Sequence, residues 1–360
     1  MGAERGPDAL TDRTLTPGEL NRAVLARQLL LERSKLPVPR ALERVGGLQT
    51  QYAPTGYIGL WSRLHGFRRD TLTRALEQRR VVQATLMRVT IHLVSAADYP
   101  LMAEGLRRGR RAWWGSVMRH QVDGLDMERV AATLRKALAE GPRRQNDLRA
   151  VLEDQGFPLP AAWSGAGLWV DLVRIPPSGT WDSRRADLYG LAETWLGRSQ
   201  ATEARGLELL VKRYFGGFGP ASMKDLASWS GLPATTLAQV VDRLPMRRFR
   251  DENGGELFDL PRQPLPDPSA PAPVRFLSTW EAVLLVHARR TQILAEEDRP
   301  RVFNTRTPHS VPTFLADGRV AGTWAYDKGK VRVVPFSPLP RAVRRQVEEE
   351  AAALAAFHAG

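Results

Sequence analysis

The stretch ASMKDLASWSGLPATTLAQVVDRLPMRRFRDENGGELFDL, residues 221–260, decides the fold. Ala221–Trp229 spaces its apolar residues at helical period, and Gly231-Leu232-Pro233 forces a tight turn after it. Thr235–Leu244 then predicts a second helix, in the place of the recognition helix of a helix-turn-helix. Arg247–Arg250 and Glu256–Leu260 flank Asn253-Gly254-Gly255, a strong hairpin signal because Asn and Gly tolerate positive φ. With Ala204–Tyr214 as a leading helix, the order is that of a winged helix.

The same order recurs upstream. Thr16-Pro17-Gly18-Glu19 forms a capping box that opens a helix with the stripe Leu20, Val24, Leu25, Leu29 and Leu30. Val38–Val45 predicts a helix broken by Gly46-Gly47, and Asp70 caps another through Gln78. Arg88, Thr90 and His92 then alternate with Val89, Ile91 and Leu93, the pattern of a half-buried strand. Further on, Met127–Ala139, a helix from Asn146 through Leu152, and Ala161–Val173 precede a wing-tip turn at Ile175–Thr180. Six prolines in residues 261–273 read as a linker or an extended brace. Val311–Phe336 predicts a β-meander turning at Asp317-Gly318 and Asp327–Lys330, and Arg341–Phe357 closes the chain as a helix.

The expected fold is therefore mainly α (α+β): three tandem winged-helix motifs with a small C-terminal β-domain. Its parts are a disordered tail (1–15), winged helices at 16–124, 125–200 and 201–260, the proline-rich linker (261–273) and the C-terminal domain (274–360).

Composition narrows the function. Of 360 residues, 43% are hydrophobic and 25% charged, which suits a globular chain and excludes broad disorder. The formal charge is +13, the excess a polyanion-binding surface needs. Cysteine is absent, which removes disulfides, thiolate nucleophiles, Cys-ligated zinc, zinc-dependent deaminases and iron–sulfur clusters. The six histidines lack metal-ligand spacing and there is no Gly-rich phosphate loop, so neither a metal nor a cofactor is expected. No apolar run approaches a membrane span, and a cytoplasmic monomer is expected.

Arginines recur in clusters: Arg107, Arg110 and Arg111 beside Trp113-Trp114, and Arg247 and Arg248 at the third wing. These five, with Arg88 and His92 on the first wing and Arg319 in the β-meander, are the candidate DNA-binding residues. The expected partner is double-stranded DNA, bound largely through phosphates.

Gln49-Thr50-Gln51 stands between the Gly46-Gly47 break and a Tyr52-Ala53-Pro54 stop. Here the chain resembles the AlkZ-like family of winged-helix DNA glycosylases, which carry a Gln–aliphatic–Gln or Gln–aliphatic–Asp motif. Ile58-Gly59-Leu60-Trp61, Ile91–Tyr99, Phe218-Gly219-Pro220-Ala221, Trp229-Ser230-Gly231-Leu232 and Asp317–Trp324 extend the resemblance over residues 18 to 336. It implies three winged helices forming a concave DNA-binding face and hydrolysis of the N-glycosidic bond of N7-alkylguanine. It further implies bulky adducts or crosslinks made by a natural-product genotoxin, hence self-resistance, with Gln49 and Gln51 catalytic. The β-hairpin that meets DNA maps near Pro312–Trp324. Thr50 departs from the aliphatic middle residue.

The chemistry is consistent with this. Glutamine has no useful pKa and cannot be a general base. An N7-alkylated guanine, however, already carries positive charge and leaves easily, so preorganised amide dipoles suffice to hold water and stabilise the sugar cation. No lysine lies near the motif, Lys35 being the nearest before it, so a Schiff-base lyase is not expected. A non-enzymatic regulator and a drug-sequestering resistance protein are the competing readings, and abasic-site formation on alkylated DNA separates them from an enzyme.

Overall fold

The computed structural model describes residues 13–121, 124–285, 287, 290–304 and 309–360. Thr14–Leu15 is a short strand, β1, paired in parallel with Arg250 and Asp251. The expected tail is thus corrected at its end: Leu15 is fully buried against Leu20, Phe249 and Leu257, and burying it fixes the backbone. Residues 1–12 lie outside the described residues.

Thr16 caps α1 (Pro17–Arg27) as predicted, its hydroxyl accepting from the Glu19 N–H at 3.2 Å while Glu19 Oε2 accepts from the Thr16 N–H at 2.9 Å. Helix α2 (Val38–Val45) ends at Gly46 with φ +77°. Gly47, at φ +83°, runs so close to Val94 that a Cβ would stand 2.9 Å from its Cγ1. This glycine pair lays the next residues, β2 (Leu48–Gln49), flat against a neighbouring strand.

Tyr52-Ala53-Pro54 is a start and not a stop. Tyr52 is the extended cap and Pro54 sits in the first turn of α3 (Ala53–Arg63), where its missing N–H costs nothing. Helix α4 (Arg69–Glu77) follows, then β3 (Val81–Thr85), a 3₁₀ turn at Met87–Val89 and β4 (Ile91–Ser95). Arg88 therefore belongs to the turn, with φ +52°, and not to a strand. The twenty-residue α5 (Tyr99–Met118) has no counterpart among the sequence expectations.

Next come α6 (Met127–Leu138), β5 (Arg143–Arg144), α7 (Gln145–Asp154), α8 (Leu159–Trp169), β6 (Leu172–Arg174), β7 (Leu188–Leu191) and α9 (Ala192–Leu196). The helix expected over Ala161–Val173 ends at Trp169, because Val173 pairs with Ala84 and Gly190 as a strand. That pairing joins the first two hairpins into one six-stranded sheet, ordered β2-β4-β3-β6-β7-β5. In the loop after β6, residues 178–181 are buried, Gly179 accepting from Gln83 Nε2 at 2.9 Å, while residues 182–185 are exposed.

The decisive stretch folds as read: α10 (Glu203–Phe218), α11 (Met223–Ser230), α12 (Ala234–Val241), then β8 (Arg247–Asp251) and β9 (Glu256–Asp259) around the Asn253–Gly255 turn. Residues 261–273 act as a brace: the carbonyls of Gln263 and Ala270 accept from Arg247 and Arg22. The C-terminal part holds β10 (Arg275–Leu277), α13 (Arg299–Val302), a two-stranded ribbon of β11 (Phe303–Asn304) and β12 (His309–Ser310), β13 (Thr313–Ala316), β14 (Arg319–Asp327), β15 (Lys330–Pro335) and α14 (Arg341–Ala359). Its four-stranded sheet, β10-β13-β14-β15, shares a core with the first module, where Phe357 meets Trp61 and Phe67. Two buried ion pairs, Arg27–Asp259 at 2.6 Å and Arg63–Glu281 at 2.7 Å, clamp the N-terminal helices to the later chain. The architecture is mixed α+β.

Candidate active site and DNA interface

Gln49 and Gln51 flank Thr50 where the chain leaves β2. Gln49 is buried and pairs across the sheet with His92; Gln51 is exposed. Arg88 Nη2 donates to Gln49 Oε1 at 2.8 Å, and the Ile91 N–H donates to Gln51 Oε1 at 3.1 Å. Each amide oxygen is thus held by one donor and keeps a second lone pair. Thr50 fills the buried position between them, with its N–H on the Ile91 carbonyl at 2.8 Å. Among the described residues no carboxylate hydrogen-bonds to either amide.

Arg88 has a second tie, from Nη1 to the Trp229 carbonyl at the end of α11, so it joins the first module's hairpin tip to the third module. Burial pushes its pKa down to about 10, which still leaves it charged. His92 is also buried, against the expectation of a surface position on the first wing. It pairs with Gln49 of β2 and lies near the charge of Arg88, so the face that alternation assigned to solvent is turned inward here. Burial, then the charge of Arg88, pushes the His92 pKa down to about 3. Its Nδ1 lies 3.0 Å from the Thr90 carbonyl and donates to it, which leaves Nε2 the unprotonated atom. His92 therefore supplies no positive charge to a phosphate. His287, which sequence reasoning missed, is buried nearby with its pKa driven well down by burial and by Arg88. Its carbonyl accepts from the Tyr214 hydroxyl at 2.6 Å and its ring meets Phe218 edge-on at 4.9 Å.

The arginine clusters are largely turned inward. Arg110 is buried and donates to the Thr85 carbonyl at 2.6 Å, with a pKa pushed down to about 10 by burial. Arg107 pairs with Glu104 and Asp171, each at 2.9 Å. Arg111 donates to the Leu168 carbonyl at 3.0 Å and stacks on Trp169. Arg247 holds the Gln263 carbonyl and packs on Phe249, and Arg248 pairs with Glu256 across the third hairpin. Arg107 and Arg111 thus tie α5 to the second module and Arg110 ties it to β3, whereas Arg248 is exposed and pairs within its own hairpin. Arg319 is exposed. The hairpin tip near Pro312–Trp324 does not project: Asn21 Nδ2 donates to the Gly318 carbonyl at 2.9 Å and Arg22 pairs with Asp317 at 2.6 Å, docking the tip on α1. The β14–β15 hairpin is the exposed one, with Lys328 and Lys330 at its tip.

A family model described as DNA glycosylase AlkZ-like matches residues 42–357. A relative from Streptomyces sahachiroi, described as an interstrand DNA cross-link repair glycosylase, is 23% identical over 360 residues, covering 92% of this chain and 93% of its own length. The solved structure of the Streptomyces sahachiroi DNA glycosylase AlkZ has the same fold, with a TM-score of 0.78 at 19% identity, covering 96% of this chain and 97% of that one.

Proposed function

Because the chain belongs to the AlkZ-like DNA glycosylase family, we propose that it hydrolyses the N-glycosidic bond of N7-alkylguanine in duplex DNA, with Gln49 and Gln51 acting at the sugar. The observation that carries this reading is the pair of anchored amides, each oxygen fixed by one protein donor. The positively charged base leaves with the bond electrons and becomes neutral, and the sugar takes the charge. Water bound by the free lone pairs then attacks C1′ and loses its proton to solvent. Amide dipoles aimed at the developing cation stabilise it without reorganising. Among the described residues no carboxyl group hydrogen-bonds to either amide, so the site has no acid at hand to protonate a neutral base as it leaves. No lysine amine is at the motif to form a Schiff base, so the reaction ends at the abasic site.

The name of the relative supports a crosslink as the lesion, and the proposal extends this to bulky adducts made by a natural-product genotoxin. The three helix–hairpin modules are proposed to act as winged helices along the duplex, with the protein a cytoplasmic monomer. No helix among the described residues is long and apolar enough to cross a membrane.

The test is single-turnover release of N7-methylguanine from duplex, beside release of uracil. Wild type should free the first and leave the second. Gln49→Ala with Gln51→Ala should slow release by about 10²- to 10³-fold, less than the product of the single effects where both amides hold one water. Binding of undamaged duplex should change less than about tenfold, because neither side chain neutralises a phosphate. Efficient uracil release, or wild-type rates in the double variant, would remove these residues from the site.

A further inference from the structure

Tyr52 follows Gln51 directly and is 47% exposed. It forms one wall of a cavity of about 220 Å³, whose other walls include Trp181, Trp324, Tyr326, His358 and the guanidinium of Arg184. These residues come from the start of α3, the loop before β7, β14 and α14, so the fold gathers rings from four distant parts of the chain. Trp181 and Trp324 are each only 5% exposed, and Trp324 Nε1 donates to the Leu277 carbonyl at 2.9 Å. They are fixed walls. Tyr326 stacks on His358 with centroids 4.1 Å apart, and Arg184 Nη1 donates to the Tyr52 hydroxyl at 2.7 Å.

The hollow opens to solvent past Tyr52 and Tyr326, both exposed, so a ligand can enter it and displace the water there. An apolar cavity of about 150 Å³ takes benzene, so this one suits a flat group of one or two rings. Of its polar groups, Thr55 and Thr279 bond each other at 3.2 Å, Ser278 Oγ donates to the Thr279 carbonyl at 3.3 Å, and His358 Nε2 is buried without a partner among the described residues. The remaining lining is mainly rings and aliphatic carbon, so a guanine placed there would pair only part of its polar edge. An aromatic hydrocarbon-like group loses nothing, and the Arg184 cation favours an electron-rich ring.

We infer that this cavity is a lesion subsite, which takes an electron-rich one- or two-ring aromatic group carried on guanine N7 while Gln49 and Gln51 act at the sugar. The assignment rests on the glycosylase reading for its substrate, but it can be tested without hydrolysis. Duplexes carrying 2′-fluoro N7-benzylguanine and 2′-fluoro N7-methylguanine serve as probes, because the fluorine destabilises the sugar cation and keeps the base attached. Wild type should bind the benzyl duplex more tightly than the methyl duplex. Tyr326→Ala should cut that preference by about 5- to 150-fold, the range for loss of one stacking ring, and Tyr326→Phe should keep it. Equal wild-type affinity for both probes would overturn the inference. So would an equal loss on both in Tyr326→Ala, which would make the cavity a pocket for the base. The 2′-deoxy counterparts separate the two readings. Preference without release of either base sinks the hydrolysis and leaves the subsite standing; release without preference does the reverse.

Discussion

Arg88 is the group whose removal tests the organisation of the site most directly. It donates to Gln49 Oε1 at 2.8 Å and to the Trp229 carbonyl, and burial lowers its pKa to about 10. Arg88→Met keeps an unbranched stem of similar bulk and the left-handed backbone cost, since both residues carry a Cβ. What disappears is a charge-assisted hydrogen bond of about 1.5–3 kcal/mol that holds the Gln49 amide. Transmitted in full to the transition state, that is about 10- to 150-fold in rate. Loss of the Trp229 contact is offset by relief of a desolvated cation, so Tm should move little. The assay is single-turnover release of N7-methylguanine from duplex by wild type, Arg88→Met, Gln49→Ala and the double variant, with Tm for each. As a positioning residue Arg88 acts only through Gln49, and Arg88→Met should add nothing once Gln49→Ala is present. Effects that multiply would show that Arg88 touches DNA or sugar itself, and would refute the reasoning.

Three other outcomes are expected. His92 and His287 stay neutral when folded, with pKa values below the ordinary 6.5; the unfolded chain takes up their protons first. Stability should therefore be full above about pH 6.5 and fall by up to about 1.4 kcal/mol per pH unit for each histidine as pH drops toward 5, and a Tm constant from pH 8 to 5 would contradict this. Gly105→Ala places a Cβ 2.6 Å from the Gly206 backbone where α5 crosses α10; overpacking of about 1–3 kcal/mol should lower Tm despite better helix propensity, and an unchanged Tm would mean the crossing is not tight. Lys328→Ala with Lys330→Ala, on the exposed hairpin, should reduce the log–log salt slope of duplex binding by about 2, whereas an unchanged slope would take this hairpin off the DNA.

Local signals carried the elements whose cause is local. Thr16 with Glu19, the Gly46-Gly47 break and Asn253-Gly254-Gly255 each solve a backbone problem within a few residues, and each reads correctly. Alternation misled at Arg88, Thr90 and His92, because period two identifies a polar face without saying what covers it. Here Arg88 itself turns to the Gln49 amide and to the Trp229 carbonyl, 141 residues away. The same limit explains the arginines of α5. Their composition signals a polyanion site, but their acceptors are Thr85, Leu168 and Asp171, which only the folded chain brings within reach. The cavity rings at positions 52, 181, 324 and 358 have no spacing to find. Gln49 and Gln51 were visible through the resemblance of their surroundings, while the donors that fix them were not.

The pairing of an amide with a buried cation has a chemical consequence. A carboxylate at position 49 would be claimed by Arg88 as an ion pair, which would offset its benefit to a sugar cation. With glutamine, the dipole is oriented at little cost but the local field stays positive. On the proposed reaction, such a site lowers the barrier only modestly and leaves the rest to the lesion, whose ring charge has already weakened the bond. Ordinary purines and pyrimidines lack that charge, and there is no acid at the amides to supply it. Selectivity against undamaged DNA then follows from the weakness of the site, and a ring-lined cavity beside Gln51 adds recognition where catalysis adds little. An enzyme built this way gains range among bulky cationic lesions without gaining power over normal bases.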